Sequence, residues 1–390
     1  MERWYAHKSN PSGIVQYKVG YGLGVALRGD ACRRVFRIYS LLLTVFRNRC
    51  KTEEKDGKEM NVLSLCDGMS CAMLALDRAG IKVDNYFSAE IKPVALKLQK
   101  HHYVDGKSSY RALCNNFYQI GDVNKISYKD GMLKWDNGAW GKDVKIDLVC
   151  FGSPCQSFSR AMREERRVGL EDKVRSGLFL ECARILKEVN PDFFLMENVV
   201  MKKEDEAVIT SMLEVNPVRI NSSLVTAQLR DRLYWTNIPG VKVPEDKRIK
   251  LQDIITDGYA PVEKARCLTA CDSHGFYNGC NWKATSRFHR FWYKCFTTMI
   301  FPTEEDFKKV LKITEEIRQG RTSRAEYYDN CDPEPFKKAR YLWKGERARL
   351  QTVPEDYIEI LSEMESADLL GDGWTVDVIA DIFKGMKKYA

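Results

Sequence analysis

The fold is decided by residues 146–156, which read IDLVCFGSPCQ. The apolar run that ends at Phe151 predicts a buried strand, and Gly152 and Pro154 end it just before the thiol of Cys155. In an open α/β sheet, ligands bind at the carboxyl ends of the strands. Cys155 is therefore a candidate nucleophile, although a structural core cysteine explains this stretch equally well.

Strand-like segments alternate with helix-like segments after residue 60, which predicts an α/β fold with a doubly wound, mostly parallel sheet. Apolar residues at helical spacing between Leu178 and Val189 predict a helix that ends before Pro191. The predicted strands are Val62–Cys66, Asn85–Ala89, Ile146–Phe151, Phe193–Met196 and Leu233–Thr236.

Composition restricts the class of protein. With 390 residues, 44% of them hydrophobic, the chain can bury one large domain and a smaller one. Its apolar runs are shorter than the roughly 18 residues of a membrane span. The 13 cysteines lack paired framework spacings, which favours free thiols in a reducing compartment. We therefore expect a cytoplasmic protein without a membrane partner.

The net charge of +8 is unevenly distributed. Residues 1–59 contain seven Arg and five Lys against six acidic residues, a net charge of +6 that leaves only about +2 for the other 331 residues. A charged run from Lys51 to Glu59 resembles a linker. We interpret residues 1–59 as a basic extension of unknown role, so nucleic-acid contacts of the main body must come from local patches.

Three ordered motifs resemble those of the cytosine-5 DNA methyltransferases: PCQ at 154–156, ENV at 197–199 and QLRDRLY at 228–234. Residues 193–240 are especially similar to the animal de novo branch, whereas NVLSLCDGMS at 61–70 is more similar to phage and bacterial members. The resemblance spans residues 60–390. It implies a Rossmann-like, S-adenosylmethionine-dependent methyltransferase sheet with an inserted, smaller target-recognition domain.

This resemblance divides the chain into four parts. Residues 60–240 form the first part of the catalytic domain, and residues 343–390 complete it with the closing motif. Residues 241–342, which are rich in aromatic, cysteine and basic residues, form the target-recognition domain. Four cysteines and His274 in this domain lack the paired spacing of a zinc site, so no metal is expected; the cysteines are Cys267, Cys271, Cys280 and Cys295.

The resemblance also implies a reaction. The thiolate of Cys155 adds to carbon 6 of cytosine, which turns carbon 5 into a nucleophile toward a methyl donor. Glu197, at the end of an apolar strand, stabilises the charge that builds at N3, and its surroundings are predicted to let it donate a proton. Arg230 and Arg232 lie on the same side of an extended segment and face the pocket, although solvated arginines are the ordinary alternative.

The implied cofactor is S-adenosylmethionine. Glu90 matches the acid that holds the ribose hydroxyls, and Asp122 the acceptor for the adenine amino group. Cys66 replaces an adenine-stacking Phe and Ala72 replaces a Gly, so we expect weakened cofactor binding. The predicted cofactor-binding residues are Cys66, Asp67, Gly68, Met69, Ser70, Glu90, Ile91, Asp122, Val123, Pro154, Trp374 and Thr375.

The implied partner is double-stranded DNA, from which the target base is swung out at a cost of a few kcal/mol. The basic segment after Cys155 is typical of a closing loop, and the recognition domain mixes aromatic and basic residues that suit phosphate and groove contacts. The predicted DNA-binding residues are Gln156, Ser157, Arg160, Arg163, Gln228, Leu268, Thr269, Arg287 and Arg290.

Two other functions stay open. A tRNA cytosine-5 methyltransferase is suggested by Cys295-Phe296-Thr297, an element of the tRNA-methylating relatives, and a non-catalytic DNA-binding relative is suggested by Cys66 and Ala72. The location expected from the resemblance is a bacterial or phage-infected host cell. A companion restriction endonuclease and the oligomeric state are not decided by the sequence.

Overall fold

The computed structural model describes residues 15–18, 24–27, 60–141, 145–155, 157–158, 169–172, 177–270, 298–320 and 339–386. The chain forms two units, residues 1–56 and 57–390. In the first unit, strands β1 (Val15–Lys18) and β2 (Gly24–Leu27) pair antiparallel. The second unit contains all of the predicted site residues.

The second unit is built on one large sheet and several short strand pairs. Its strands are β3 (Met60–Leu65), β4 (Val83–Ala89), β5 (Cys114–Gln119), β6 (Ser127–Lys129), β7 (Met132–Trp135), β8 (Gly138–Trp140), β9 (Leu148–Phe151), β10 (Phe193–Val199), β11 (Val218–Asn221), β12 (Gln228–Leu229), β13 (Asp231–Thr236), β14 (Ala265–Arg266), β15 (Met299–Ile300) and β16 (Arg340–Tyr341). All five predicted strands are present, with ends shifted by at most three residues.

The large sheet has seven strands in the order β11-β13-β10-β9-β3-β4-β5. β13 runs antiparallel to both of its neighbours, and the other pairings are parallel. The prediction of a mostly parallel, doubly wound sheet is confirmed. Because the strand order reverses between β3 and β9, a crevice opens at the carboxyl ends of these two strands.

Helices cover both faces of the sheet. They are α1 (Cys71–Arg78), α2 (Pro93–Gln99), α3 (Leu178–Val189), α4 (Lys203–Leu213), α5 (Glu304–Arg318), α6 (Lys344–Leu350), α7 (Glu363–Asp372) and α8 (Val376–Phe383). Successive β3 residues show the layering, since Val62 packs into the core that contains α1 and α8, whereas Leu63 packs into the core that contains α3. The predicted helix after Leu178 is α3, and Asn190 with φ 46° ends it before Pro191.

The closing motif completes this fold. α8 packs against α1, and Arg78 of α1 forms an ion pair with Asp377 of α8 at 2.6 Å. Both helices are almost entirely apolar along their buried faces, so burial of these faces holds the two ends of the catalytic domain together.

Residues 241–270 pack as part of the catalytic body. Leu251, Ala265 and Leu268 share one core with Leu350 of α6, and the Lys264 ammonium donates to three backbone carbonyls, one of them that of Ser223. We propose that the recognition module begins after Ala270 rather than at residue 241. Within the described ranges, no helix is long and apolar enough to cross a membrane.

Two residues of α3 test the assignment of its buried face. Ile185 is completely buried, whereas Leu180 is 44% exposed. We expect Ile185→Ala to lower the free energy of unfolding by about 2–5 kcal/mol, because it leaves a cavity against the sheet. Leu180→Ala on the same helix should change it by about 0.5 kcal/mol or less. Urea titration of both variants measures this, and equal effects would contradict the assignment.

Candidate active site

Cys155 is held in a loop that leaves the sheet at the end of β9. The amide of Asn198 in β10 donates to the carbonyl and the hydroxyl of Ser153, at 3.2 and 3.1 Å, and so fixes this loop from the neighbouring strand. Asn198 belongs to the ENV motif, but the sequence alone did not indicate this role. The loop geometry places the Cys155 thiol over the crevice between β3 and β9.

The four predicted catalytic side chains line one cavity of about 460 Å³ at this crevice. Cys155 comes from the β9 loop and Glu197 from β10, while Arg230 directly precedes β13 and Arg232 lies in it. The structure therefore brings together residues that are up to 77 positions apart in the sequence.

Glu197 and Arg232 form a buried ion pair. The distance from Arg232 Nε to Glu197 Oε1 is 2.9 Å, and the two side chains are 12% and 10% exposed. β10 and β13 are antiparallel neighbours with Val199 opposite Arg232, so Arg232 reaches diagonally to Glu197. Although burial opposes the charged form, the negative charges of Cys267 and Glu197 raise the pKa of Arg232 above its ordinary value.

The Cys155 thiol is protonated in this environment. Burial raises its pKa above the ordinary value, and this effect exceeds the lowering by the positive charge of Arg232; Glu197 raises the pKa further. A thiolate is the nucleophilic form of cysteine. Formation of the thiolate therefore depends on Arg232 and on groups that enter the cavity.

Arg230 has a different role from Arg232. Its guanidinium is 3% exposed and donates to the carbonyls of Leu268, Gly371 and Gly373 at 2.8–3.2 Å. These hydrogen bonds join residues 268 and 371–373 to the segment before β13. We interpret Arg230 as the residue that builds the cavity wall rather than as one that contacts the reacting base.

Gly152 leaves room for two side chains of the cavity. A methyl group at this position would lie 2.9 Å from Nε1 of Trp374 and 3.3 Å from Oε2 of Glu197. Trp374, from the closing motif, therefore approaches the end of β9 closely, beside the carboxylate of Glu197. This close approach depends on the absence of a side chain at Gly152.

The turn after β3 is organised by the buried carboxylate of Asp67. Cys66, Gly68 and Ser70 all have positive φ angles, between 53° and 58°. Asp67 accepts hydrogen bonds at 2.5–3.1 Å from five side chains: Ser64, Ser70, Tyr86, Ser88 and Gln99. Burial raises the pKa of Asp67, against the effect of these donors. The network fixes a tight turn whose backbone borders the cavity.

Two further acids mark the other side of the cavity. Glu90, after β4, accepts from the backbone N–H groups of Gly68, Ile91 and Lys92 at 2.6–2.8 Å. Asp122, after β5, accepts from the backbone and side chain of Asn124. Both carboxylates are thus oriented by neighbouring groups before any ligand binds.

Known proteins resemble this chain in sequence and fold. A family model described as C-5 cytosine-specific DNA methylase matches residues 60–216. The type II methyltransferase M1.ScrFI of Lactococcus lactis subsp. cremoris is 24% identical over 387 residues, which cover 92% of this chain and 85% of that protein. The orphan methyltransferase M.SPRI of Bacillus phage SPR is 34% identical over 143 residues, or 36% of this chain and 26% of its own length.

Residues 60–216 thus form a cytosine-5-specific DNA methylase domain. The fold is similar to that of a mutant of Spodoptera frugiperda DNMT2, with a TM-score of 0.54 and 18% identity over 84% of this chain and 100% of that one. The Entamoeba histolytica methyltransferase EhMeth gives the same TM-score at 14% identity, over 84% of this chain and 98% of that one. These structures support the fold of the methyltransferase.

Most of the predicted cofactor-binding residues line the cavity of the methyltransferase, and their contact with a cofactor stays a prediction. They are Cys66, Asp67, Gly68, Glu90, Ile91, Asp122, Val123, Pro154 and Trp374. The cavity volume is within the range of roughly 300–1,000 Å³ for small-molecule sites. Oriented carboxylates at one side and the apolar surfaces of Leu178, Leu369 and Trp374 fit a ligand such as S-adenosylmethionine, which carries hydroxyls, an aromatic base and apolar carbons beside a positively charged sulfonium.

Three of the predicted cofactor-binding residues lie outside the cavity lining, and their contact with a cofactor stays a prediction. Met69, Ser70 and Thr375 are buried outside the cavity lining, because the Ser70 hydroxyl bonds Asp67 and the Thr375 hydroxyl bonds Gln351. Ala72 also lies in the core of α1 rather than at the cavity, so its methyl group does not crowd the cofactor side.

The predicted DNA contacts in the described ranges are largely occupied within the fold. Gln228 is completely buried and bonds Leu268 and Gln351, while Leu268 itself is 5% exposed. Ser157 is buried and donates to Asp172 at 2.5 Å, and Thr269 packs against Gly371. Gln228, Ser157 and Leu268 thus have structural contacts within the fold, and their contact with DNA stays a prediction. Outside the described residues lie Gln156, Arg160, Arg163, Arg287, Arg290, His274 and three of the four cysteines considered for zinc: Cys271, Cys280 and Cys295.

The close approach at Gly152 gives a testable consequence. We expect Gly152→Ala to lower kcat/KM for the nucleic-acid substrate by roughly tenfold or more, because the new methyl group displaces Trp374 and crowds Glu197. Gly152→Ala combined with Trp374→Phe should recover part of the loss, since Phe lacks the indole nitrogen that clashes. Steady-state assays at saturating cofactor measure both, and a double variant no better than the single one would contradict this account.

The electrostatic environment of the Cys155 thiol gives a second testable prediction. In the methyltransferase without substrate, alkylation of Cys155 by iodoacetamide should have its pH midpoint above the free-cysteine value of about 8.5. Arg232→Gln should move the midpoint to still higher pH, because the substitution removes a positive charge that stabilises the thiolate. Arg219→Gln is the matched control, since Arg219 is exposed and pairs with Asp231. Peptide mass spectrometry after timed alkylation measures the rates, and a midpoint unchanged by Arg232→Gln would refute the assignment.

Proposed function

We propose that this protein transfers a methyl group from S-adenosylmethionine to carbon 5 of a flipped-out cytosine in double-stranded DNA, through a covalent adduct with Cys155. The observation that carries the proposal is the cavity at the strand-order reversal, which combines the Cys155 thiol with the Glu197–Arg232 ion pair and the oriented acids Glu90 and Asp122.

The first step is addition of the Cys155 sulfur to carbon 6 of the base. The thiol gives up its proton, the S–C bond forms as the π bond between carbons 5 and 6 breaks, and the displaced electron pair moves through carbon 5 to N3, which takes up a proton in exchange. Burial disfavours the thiolate, and Arg232 favours it. The free site therefore keeps the nucleophile protonated, and the thiol gives up its proton as it attacks the base.

Glu197 and Arg232 act together on the base. Arg232 holds one oxygen of the Glu197 carboxyl through its Nε, and the other oxygen points toward Gly152 and Trp374, at the cavity. This second oxygen can accept a hydrogen bond from N3 of cytosine once N3 has taken up a proton during the addition. Its fixed orientation places a charge-stabilising group where charge develops during the addition.

The cofactor supplies an electrophilic methyl group. The acids Glu90 and Asp122 would hold its hydroxyl and amino groups, and Trp374 with Leu178 would pack against its apolar parts. After methyl transfer, carbon 5 loses its proton and Cys155 leaves carbon 6, which restores the ring and the free thiol.

The partner in this proposal is DNA that presents its target base outside the stack. The relatives named above include a type II and an orphan methyltransferase, so the proposal covers both a partner of a restriction endonuclease and a stand-alone enzyme.

The decisive experiment compares Cys155→Ser with wild type in tritium transfer from labelled S-adenosylmethionine to unmethylated duplex DNA. We expect incorporation at carbon 5 of cytosine by wild type and background levels in the variant, because serine is a much weaker nucleophile. Cys114→Ser is the matched control, since Cys114 is buried in β5 away from the cavity.

Parallel arms separate this proposal from the two alternatives. Transfer to tRNA but not to duplex DNA would identify tRNA, and not DNA, as the substrate class. The Cys295-Phe296-Thr297 element that suggests this alternative lies outside the described residues. A folded protein that does not bind S-adenosylmethionine in calorimetry would favour a non-catalytic relative instead.

A further inference from the structure

Cys267 places a second thiol beside the predicted catalytic arginines. Its sulfur lies 3.4 Å from Nη1 of Arg230 and 3.7 Å from Nη2 of Arg232, and both groups donate toward it. No other described side chain accepts a hydrogen bond from both arginines. This residue therefore bridges the two arginines of the QLRDR motif.

The position of Cys267 is fixed by its neighbours on both sides. β14, which ends one residue earlier, pairs in parallel with β12. One residue later, the backbone N–H of Leu268 donates to Gln228 and its carbonyl accepts from Arg230, at 2.8 and 3.2 Å. Gly371 packs directly on the backbone of the next two residues. The sulfur is thus presented by a rigid segment.

The positive charges of Arg230 and Arg232 need a second negative charge in addition to that of Glu197. Arg230 is buried and the side chain of Arg232 is only 12% exposed, and Glu197 is an ion-pair partner for Arg232 alone. In the part of the chain that the structure describes, Arg230 has carbonyl and sulfur partners but no carboxylate partner. A buried charge without a counter-charge is costly. An anionic sulfur at Cys267 would balance the pair.

We propose that Cys267 is a positioning residue whose sulfur clamps the guanidinium groups of Arg230 and Arg232 and so holds Arg232 against Glu197. This inference rests on the proposed function, in which Arg232 orients Glu197 for the reaction. Arg232 uses Nε for Glu197, Nη1 for the carbonyl of Asp231 and Nη2 for Cys267. These three contacts restrict the guanidinium to one orientation.

The protonation state of the sulfur follows from the same contacts. Burial raises the pKa of Cys267, but the charges and N–H groups of Arg230 and Arg232 outweigh it and lower the pKa below the ordinary value. As a thiol, Cys267 donates to the carbonyl of Leu268 at 3.4 Å, an oxygen that also accepts from Arg230; as a thiolate, its sulfur only accepts, from the two arginines. The surrounding titratable groups, Glu197, Cys155 and Tyr234, all act on Arg232.

The first test measures the thiolate directly and needs no activity. Full-length Cys155→Ser protein is alkylated with iodoacetamide between pH 6 and 10, and the Cys267 peptide is followed by mass spectrometry. We expect a midpoint below the free-cysteine value of about 8.5, and a higher midpoint when Arg232→Gln is added. Cys114 is the internal control, because burial raises its pKa to about 11.

The second test separates positioning from packing by kinetics. We expect Cys267→Ala to lower kcat by about tenfold to a hundredfold, as for loss of a charge-assisted hydrogen bond, with an unchanged KM for S-adenosylmethionine. Cys267→Asp restores an anion and should recover more activity than Cys267→Ser, which restores only a neutral acceptor. Thermal unfolding of each variant checks that the fold is retained.

The two tests give distinguishable outcomes. A Cys267 midpoint at or above that of free cysteine, or a folded Cys267→Ala variant with wild-type kcat, would overturn the clamp. Recovery by Cys267→Ser but not by Cys267→Asp would also overturn it, because a neutral acceptor would then suffice. Absence of methyl transfer by wild type would defeat the proposed function, while the alkylation midpoints would still decide the state of Cys267.

Discussion

The buried guanidinium of Arg230 is the interaction on which the active site depends. It binds carbonyls of residues 268, 371 and 373, and so joins the segment before β13 to the end of α7 and to the segment after β14. Backbone carbonyls left unpaired in a protein interior are costly. A single planar group with several fixed donors satisfies three of them at once, which a lysine ammonium on a flexible stem would do less well.

This interaction also explains why two arginines spaced two residues apart behave differently. Both point to the same side of the chain, as expected for an extended segment. Arg230 meets carbonyl groups and builds the wall, whereas Arg232 meets the Glu197 carboxylate and enters the chemistry. The surroundings of each guanidinium decide its role, while the residue type is the same.

The cofactor side is organised by a second kind of constraint, in which carboxylates are oriented before a ligand arrives. Asp67 is surrounded by five side-chain donors, and Glu90 accepts three backbone N–H groups, including that of Gly68 in the Asp67 turn. The turn and the Glu90 carboxylate therefore position each other. Such preorganisation reduces the entropy that ligand binding must remove.

The sequence predicted the strands, the two-sided sheet and the gathering of Cys155, Glu197 and Arg232, because these depend on apolar runs and on where strands end. It failed for side chains whose direction depends on distant neighbours. Gln228 is polar and lies between motif residues, yet it is buried because Leu268 and Gln351 supply partners from far along the chain. The sequence around Cys267 suggests at most a zinc ligand, because none of the neighbouring residues indicates that two arginines converge on it. The two thiols near Arg232 show the same dependence on surroundings: direct contact with both guanidinium groups lowers the pKa of Cys267, whereas burial dominates at Cys155 and raises it. The same two arginines thus favour the thiolate at Cys267 more strongly than at Cys155, where burial favours the thiol.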